Sequence, residues 1–162
     1  MLSAKMQKAL NDQINLEFSS AYIYLAMSAY FESINMSGGA HWMQAQYQEE
    51  QGHALKLIHF VHERDGRVTL QAIKAPPGEW ASLLAVFEQS LEHERKVSAA
   101  IHKLVDLALQ ERDYPTNSFL QWFVNEQVEE ESAANGIVQK LKLIGENTNG
   151  LFMVDRELSK RA

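Results

Sequence analysis

Residues 43–60 read MQAQYQEEQGHALKLIHF. Within this stretch Met43, Gln46, Glu50, His53, Leu57 and Phe60 recur at alternating spacings of three and four. That alternation puts them on one face of a helix, as the seam of a helical bundle requires. A seam faces a core, yet the centre of this one is an acid and an imidazole. Three other stretches repeat the pattern. One runs Leu10, Ile14, Glu17, Ala21, Tyr24, Ser28, Phe31; the next Leu83, Phe87, Ser90, Glu94, Val97, Ile101, Leu104; the last Leu120, Phe123, Gln127, Glu130, Ala134, Ile137, Leu141. Glu17, Glu50, Glu94 and the pair Gln127 and Glu130 all fall near the middle of their seams.

The punctuation between seams sets the architecture. Gly38-Gly39, Gly66, Pro76-Pro77-Gly78, Pro115, and Gly145 with Gly150 mark five breaks. The long stretches between them are rich in helix formers. They predict helices over about 3–33, 39–65, 80–110 and 116–144, then a short one over about 151–160. Ser3 and Asn117 read as N-caps, with Pro115 at the bend before the fourth helix. Short breaks join antiparallel neighbours, whereas the segment Gly66–Glu79 can span ~46–50 Å when extended, the length of the bundle. The expectation is one all-α domain, residues 1–162, with four bundled helices, one long crossover and a short fifth helix.

Near mid-height, the four acids meet at one level whichever way the helices run. The seams contain no Lys or Arg to balance them. A buried ionised carboxylate without a partner costs several kcal/mol or more, and a domain has only about 5–15 kcal/mol of net stability. Metal is the simplest partner: two divalent ions match the charge of Glu17, Glu50, Glu94 and Glu130. Glu50 and His53 form Glu-x-x-His, whose spacing points both side chains to one face. A carboxylate-rich set with one imidazole suits iron or manganese.

Composition agrees. The 162 residues include no Cys, which excludes disulfides, zinc–thiolate sites, Cys-held iron–sulfur clusters and a thiol nucleophile. The formal charge of −6 argues against a general nucleic-acid binder. No apolar run spans a membrane and the N-terminus does not read as a signal peptide, so a cytoplasmic protein is the default expectation.

Glu17 with Tyr24, Glu49-Glu50-x-x-His53, Glu94 and the run Trp122-x-x-x-Glu126-Gln127-x-Glu129-Glu130 together resemble the bacterial non-haem ferritins. The tail Gly150-Leu151-x-x-x-Asp155-x-Glu157-Leu158 resembles them too, so the likeness covers essentially the whole chain. The resemblance implies a ferritin-like fold and a ferroxidase that oxidises Fe(II) with O2 or H2O2 and stores it as ferric mineral. Glu17, Glu50 and His53 would hold one iron, Glu94 and Glu130 the other, with Glu50 bridging and Gln127 beside the pair. Glu49, Glu126, Glu129 and Glu130 would form a third iron site, or Glu49, Glu126 and Glu129 are simply solvated acids. Tyr24 would hydrogen-bond a ligand or donate an electron; Trp122 reads equally as core packing or a redox group.

A 24-subunit homo-oligomeric shell is implied, with iron entering near Glu111–Asn117. Gln127-x-x-Glu130 stands where many di-iron bundles have a second Glu-x-x-His, which sets the chain apart from oxygenases, bacterioferritins and rubrerythrins. Gln51 stands where bacterioferritins have their haem-ligating Met, so no haem is expected. A twelve-subunit DNA-protecting mini-ferritin and an inactive shell subunit are the competing readings. His41, His59, His62, His93 and His102 are expected to have no catalytic role, and Glu131 to be plain surface charge.

Overall fold

The computed structural model covers residues 1–162 and contains five helices: α1 Ala4–Ser33, α2 Ser37–Glu63, α3 Leu83–Gln110, α4 Tyr114–Ile144 and α5 Thr148–Leu158. It is a four-helix bundle with one long crossover and a short C-terminal helix. No helix is long and apolar enough to cross a membrane.

The caps explain where the observed bounds depart from the sequence reading. Ser3 caps α1 as expected, its Oγ accepting from the Met6 amide at 2.9 Å. Ser82 does the same for α3 through Ala85, so that helix starts at Leu83 and Trp80 stays in the crossover. Asp113, not Asn117, caps α4: it accepts from the Thr116 amide at 3.3 Å and the Thr116 hydroxyl at 2.7 Å. Pro115 then lies in the first turn of α4, where its missing N–H would have had no partner. Asn147 caps α5 by accepting from the Gly150 amide, which moves that start back to Thr148.

Gly38-Gly39 is not a break. Both glycines lie inside the first turn of α2 and are buried. Met36, at the N-cap position, supplies no side-chain bond. Instead Asp155 of α5 accepts from the Gly39 amide at 2.8 Å, so a carboxylate 116 residues away serves the positive end of α2. A Cβ on residue 38 would come within 1.7 Å of the Asp155 carbonyl oxygen, so this docking demands glycine. Gly52 and Gly136 differ: a Cβ at either meets nothing within 4 Å, so close packing does not account for them.

Residues 64–82 carry the chain from α2 to α3 along the side of α1. Asn11, buried on α1, accepts from the Thr69 amide at 2.6 Å and donates to the Arg67 carbonyl at 2.9 Å. Gln7 accepts from the Arg67 amide, and the Tyr30 hydroxyl donates to the Trp80 carbonyl. An extended segment with no ladder of its own thus has part of its backbone satisfied by α1 side chains.

The apolar core is in two parts. One holds Tyr24, Met27, Phe31, Met43, Phe87 and Leu141 among others; the other holds Leu10, Ile14, Leu57, Phe60, Ile101 and Phe123 among others. Between them, at mid-height on each of the four long helices, lies a buried polar layer. All seam positions are buried except Ile137, which is half-buried while Val138 takes its place in the core.

Candidate metal centre

Glu17, Glu50 and Glu94 are each 1 % exposed, His53 is 5 % and Glu130 6 %. The bundle therefore brings together the acids that the four seams predict. Oxygen or nitrogen atoms of Glu17, Glu50 and His53 lie within 4.8 Å of one another, as do those of His53, Glu126 and Glu130. His53 Nδ1 is 3.3 Å from Glu50 Oε2, and its Nε2 is 3.9 Å from Glu126 Oε1. The imidazole thus lies between the inner acids and the rim.

Each inner acid is held by a neutral donor. Gln13 Nε2 donates to Glu17 Oε1 at 2.7 Å. Gln46 Nε2 donates to Glu130 Oε2 at 2.6 Å and reaches Glu50 Oε1 at 3.4 Å. The Tyr24 hydroxyl donates to Glu94 Oε1 and accepts from Ser90 Oγ. Gln127 Nε2 donates to Glu94 Oε2 at 3.1 Å and to the Glu94 carbonyl at 3.2 Å. Gln13, Gln46 and Ser90 have no role in the sequence reading. The signal was available for two of them: Gln13 precedes Glu17 by four residues and Gln46 precedes Glu50 by four, one turn along the same face.

The layer lacks a balancing charge, and its titration shows this. Burial, then the charge of Glu50, pushes Glu17 well above the usual carboxylate range. Burial and the charge of Glu94 do the same to Glu50. Glu94 is raised by burial although Tyr24 and Gln127 hydrogen-bond it. Glu130 is raised to about 7 by burial and by Glu94. Glu17 Oε2 and Gln46 Oε1 are buried without any hydrogen-bond partner. A cation coordinated by the four carboxylates would remove both the repulsion and the orphaned carboxylate oxygen. The oxygen-rich donor set with one imidazole fits iron.

The rim behaves differently. Of the four acids expected for a third site, Glu126 and Glu130 come together with His53, but Glu49 and Glu129 join no such group. Glu129 is exposed. Glu49 is paired with Arg161, whose guanidinium also lies 4.3 Å from the centre of the Trp42 ring and donates to the Trp42 carbonyl. Trp122, 39 % exposed, meets His53 edge to face at 5.5 Å, with Lys56 Nζ 4.0 Å over its ring. Glu131 is not plain surface charge: it is half-buried and accepts from Ser98 Oγ at 2.6 Å. Among the other histidines, His93 packs against Ser20 at 2.7 Å, and burial lowers its pKa to about 4.

Fold and site together define a class: a helical bundle with a carboxylate-rich polar layer at its centre. Comparison with known proteins gives the family. A family model described as the ferritin-like domain matches residues 7–144. The chain is 46 % identical to a bacterial non-heme ferritin of Bacteroides fragilis over 161 residues, covering 99 % of this chain and all of that one. It is 44 % identical to the bacterial non-heme ferritin of Campylobacter jejuni, covering all of this chain and 97 % of that one. A crystal structure described as a novel open pore ferritin from the archaeon Archaeoglobus fulgidus superposes with a TM-score of 0.99 at 54 % identity, over the full length of both chains. The chain belongs to the ferritin family.

Proposed function

We propose that this chain is an iron-storage ferroxidase subunit whose substrate is Fe(II). The observation that carries the reading is the buried set Glu17, Glu50, Glu94 and Glu130 beside His53, with no Lys or Arg paired to any of the four. Two ferrous ions per subunit take the place of the protons that the inner acids otherwise favour. Glu17, Glu50 and His53 hold one ion and Glu94 and Glu130 the other, with Glu50 between them and Gln127 beside the pair. Each ion gives up one electron. O2 takes the two electrons and two protons to become H2O2, or H2O2 takes two electrons and two protons to give two waters. Fixed carboxylates favour the product because ferric iron carries the larger charge. No haem takes part.

The ferric ions then move to the interior of a homo-oligomeric cage, where an acidic surface nucleates ferric oxyhydroxide. Glu126 and Glu130, joined by Glu49 and Glu129 after side-chain rotation, supply the third iron position on that route. A cage is supported by the apolar side chains this chain leaves in water, among them Leu143 at 88 %, Met153 at 73 % and Phe152 at 60 % exposed. The proposed shell has 24 subunits. At 18.4 kDa per chain its solution mass is about 440 kDa, and about 220 kDa would point instead to the twelve-subunit form.

Aerobic addition of Fe(II) to the purified protein, followed by ferric absorbance in the near ultraviolet, tests the activity. A rapid phase that saturates at two irons per subunit is expected. Iron oxidation no faster than in buffer would overturn the reading and leave an inactive shell subunit.

A further inference from the structure

We infer that Gln46 is a positioning residue that fixes the second of the two metal positions before any metal arrives. The inference rests on the ferroxidase reading, because it concerns the spacing of that site's ligands.

The ligands come from two separate hairpins. Glu17, Glu50 and His53 stand on α1 and α2, whereas Glu94 and Glu130 stand on α3 and α4. The spacing between hairpins therefore sets the spacing between metal positions. At the level of the site, α1 and α3 are tied by the Tyr24 hydroxyl on Glu94. The facing pair, α2 and α4, is held less closely: none of their Cα atoms approach within 8 Å. At the level of the site, Gln46 Nε2 on Glu130 Oε2, at 2.6 Å, is the one hydrogen bond between these two helices; away from it, Arg64 just beyond α2 donates to Thr116 Oγ1 at 2.9 Å and the Phe60 and Phe119 rings stack.

The amide orientation is decided by its partners. Metal ligation requires Glu130 and Glu50 in their ionised form, which accepts but does not donate, so the orientation that serves the site is the one with Nε2 on both carboxylates. The preferred orientation leaves Gln46 Oε1 buried and without a partner. That carries a desolvation cost which a Leu or Met of similar size would not incur. A fully buried amide that carries an orphaned oxygen is therefore a poor choice for packing alone, and a good one for steering a carboxylate. Neutrality matters as well. A Lys or Arg here would hold Glu130 more strongly, but it would compete with the incoming cation for the same oxygen atoms.

Gln46 and Tyr24 thus form two uncharged ties, one on each side of the site. The Gln46 tie leaves Glu130 Oε1 free for a metal, whereas the second oxygen of Glu94 is already met by the neutral Gln127 amide.

The test uses Co2+ as an oxidation-inert probe, added without oxygen to the assembled protein and read by its visible absorption. Gln46→Met and Gln46→Leu both remove the donor while keeping the bulk. The parent is expected to bind two Co2+ per subunit in separable steps. In both variants the second step should weaken by about 10-fold or more, the scale for losing a group that supports a metal ligand, while the first weakens clearly less, because Gln46 touches neither Glu17 nor His53 and meets Glu50 only at a long 3.4 Å. Circular dichroism and solution mass check that folding and assembly persist. Equal second-step affinity in parent and variants overturns the role of Gln46 alone. Equal weakening of both steps also overturns it, since that is the signature of general loosening. A parent that binds no pair of Co2+ ions overturns the ferroxidase reading, and the role of Gln46 falls with it.

Discussion

Glu49 and Glu50 are neighbours in the chain, as are Glu129 and Glu130, yet one member of each pair is buried and the other exposed. The helix turns about 100° per residue, enough to send adjacent acids into different electrostatic worlds. The inner acids are held by amides, a phenol and the His53 imidazole, with no Lys or Arg among their partners. The rim acid Glu49 is held by a guanidinium. Inside, where charges are poorly screened, a permanent cation would block the site, and neutral donors leave the attraction for an incoming metal intact. At the rim, water and salt already screen the charge, so Arg161 can neutralise Glu49 at small cost and be displaced again.

The strongest way to break this contrast is to remove inner ligands. Glu50→Ala with His53→Ala should slow the initial oxidation of Fe(II) by at least about 100-fold, at or beyond the top of the ~10–100-fold range for groups that merely support a ligand. The same double variant should still assemble, because one unbalanced buried charge has gone. Unchanged early kinetics in stopped-flow would end the assignment of these two residues.

The next effect is in pH. The inner acids have folded pKa values above their unfolded ones, with Glu130 at about 7. For a group shifted this way, the stabilising contribution is complete below the unfolded value and fades as pH rises through the folded one. The metal-free protein should therefore melt at a lower temperature at pH 8 than at pH 5.5. Metal uptake should show the reverse trend, since protons must leave: Co2+ affinity should rise by about 10-fold per pH unit for each proton displaced. A flat melting profile over that range would mean that the inner acids are not strained without metal.

Smaller effects belong to the rim. The triple variant Glu49→Gln, Glu126→Gln, Glu129→Gln should leave the initial oxidation rate within about threefold, because Glu49 and Glu129 are exposed and screened and Glu126, half-buried, is not among the ligands of the inner pair, while lowering the metal bound beyond the first pair in equilibrium dialysis. A loss of the rapid phase would show that rim and centre act as one site. Smallest of all, Arg161→Gln should strengthen binding of that later metal by no more than about fivefold, in keeping with the ~0–1 kcal/mol worth of an exposed ion pair. A larger gain would make Arg161 a true competitor for the metal.

Much of the site was legible because a buried acid on a helical seam is an anomaly visible in one dimension. Glu17, Glu50, His53, Glu94 and Glu130 each stand out against apolar neighbours at three- and four-residue spacings. Gln46 stands on the same seam but draws no role there, because an uncharged amide raises no electrostatic objection. Asn117 read as a cap because it precedes helix formers; the helix starts instead at Tyr114, where Asp113 accepts from the Thr116 amide and is held by Arg64, just beyond the end of α2. The glycines at 38 and 39 looked like punctuation because nothing near them in the chain reveals that Asp155 docks there.

The sequence by itself determined the helices, the crossover length and the level at which the acids meet. These follow from the period of a single helix, which needs no knowledge of what packs against it. The tertiary structure alone decided which partner each acid finds: Tyr24 for Glu94 across 70 residues, Gln46 for Glu130 across 84, Arg161 for Glu49 across 112. Those pairings depend on which helix faces which once the crossover has run along α1. That choice is made by the packing of whole apolar faces on either side of the polar layer, and no local spacing records it.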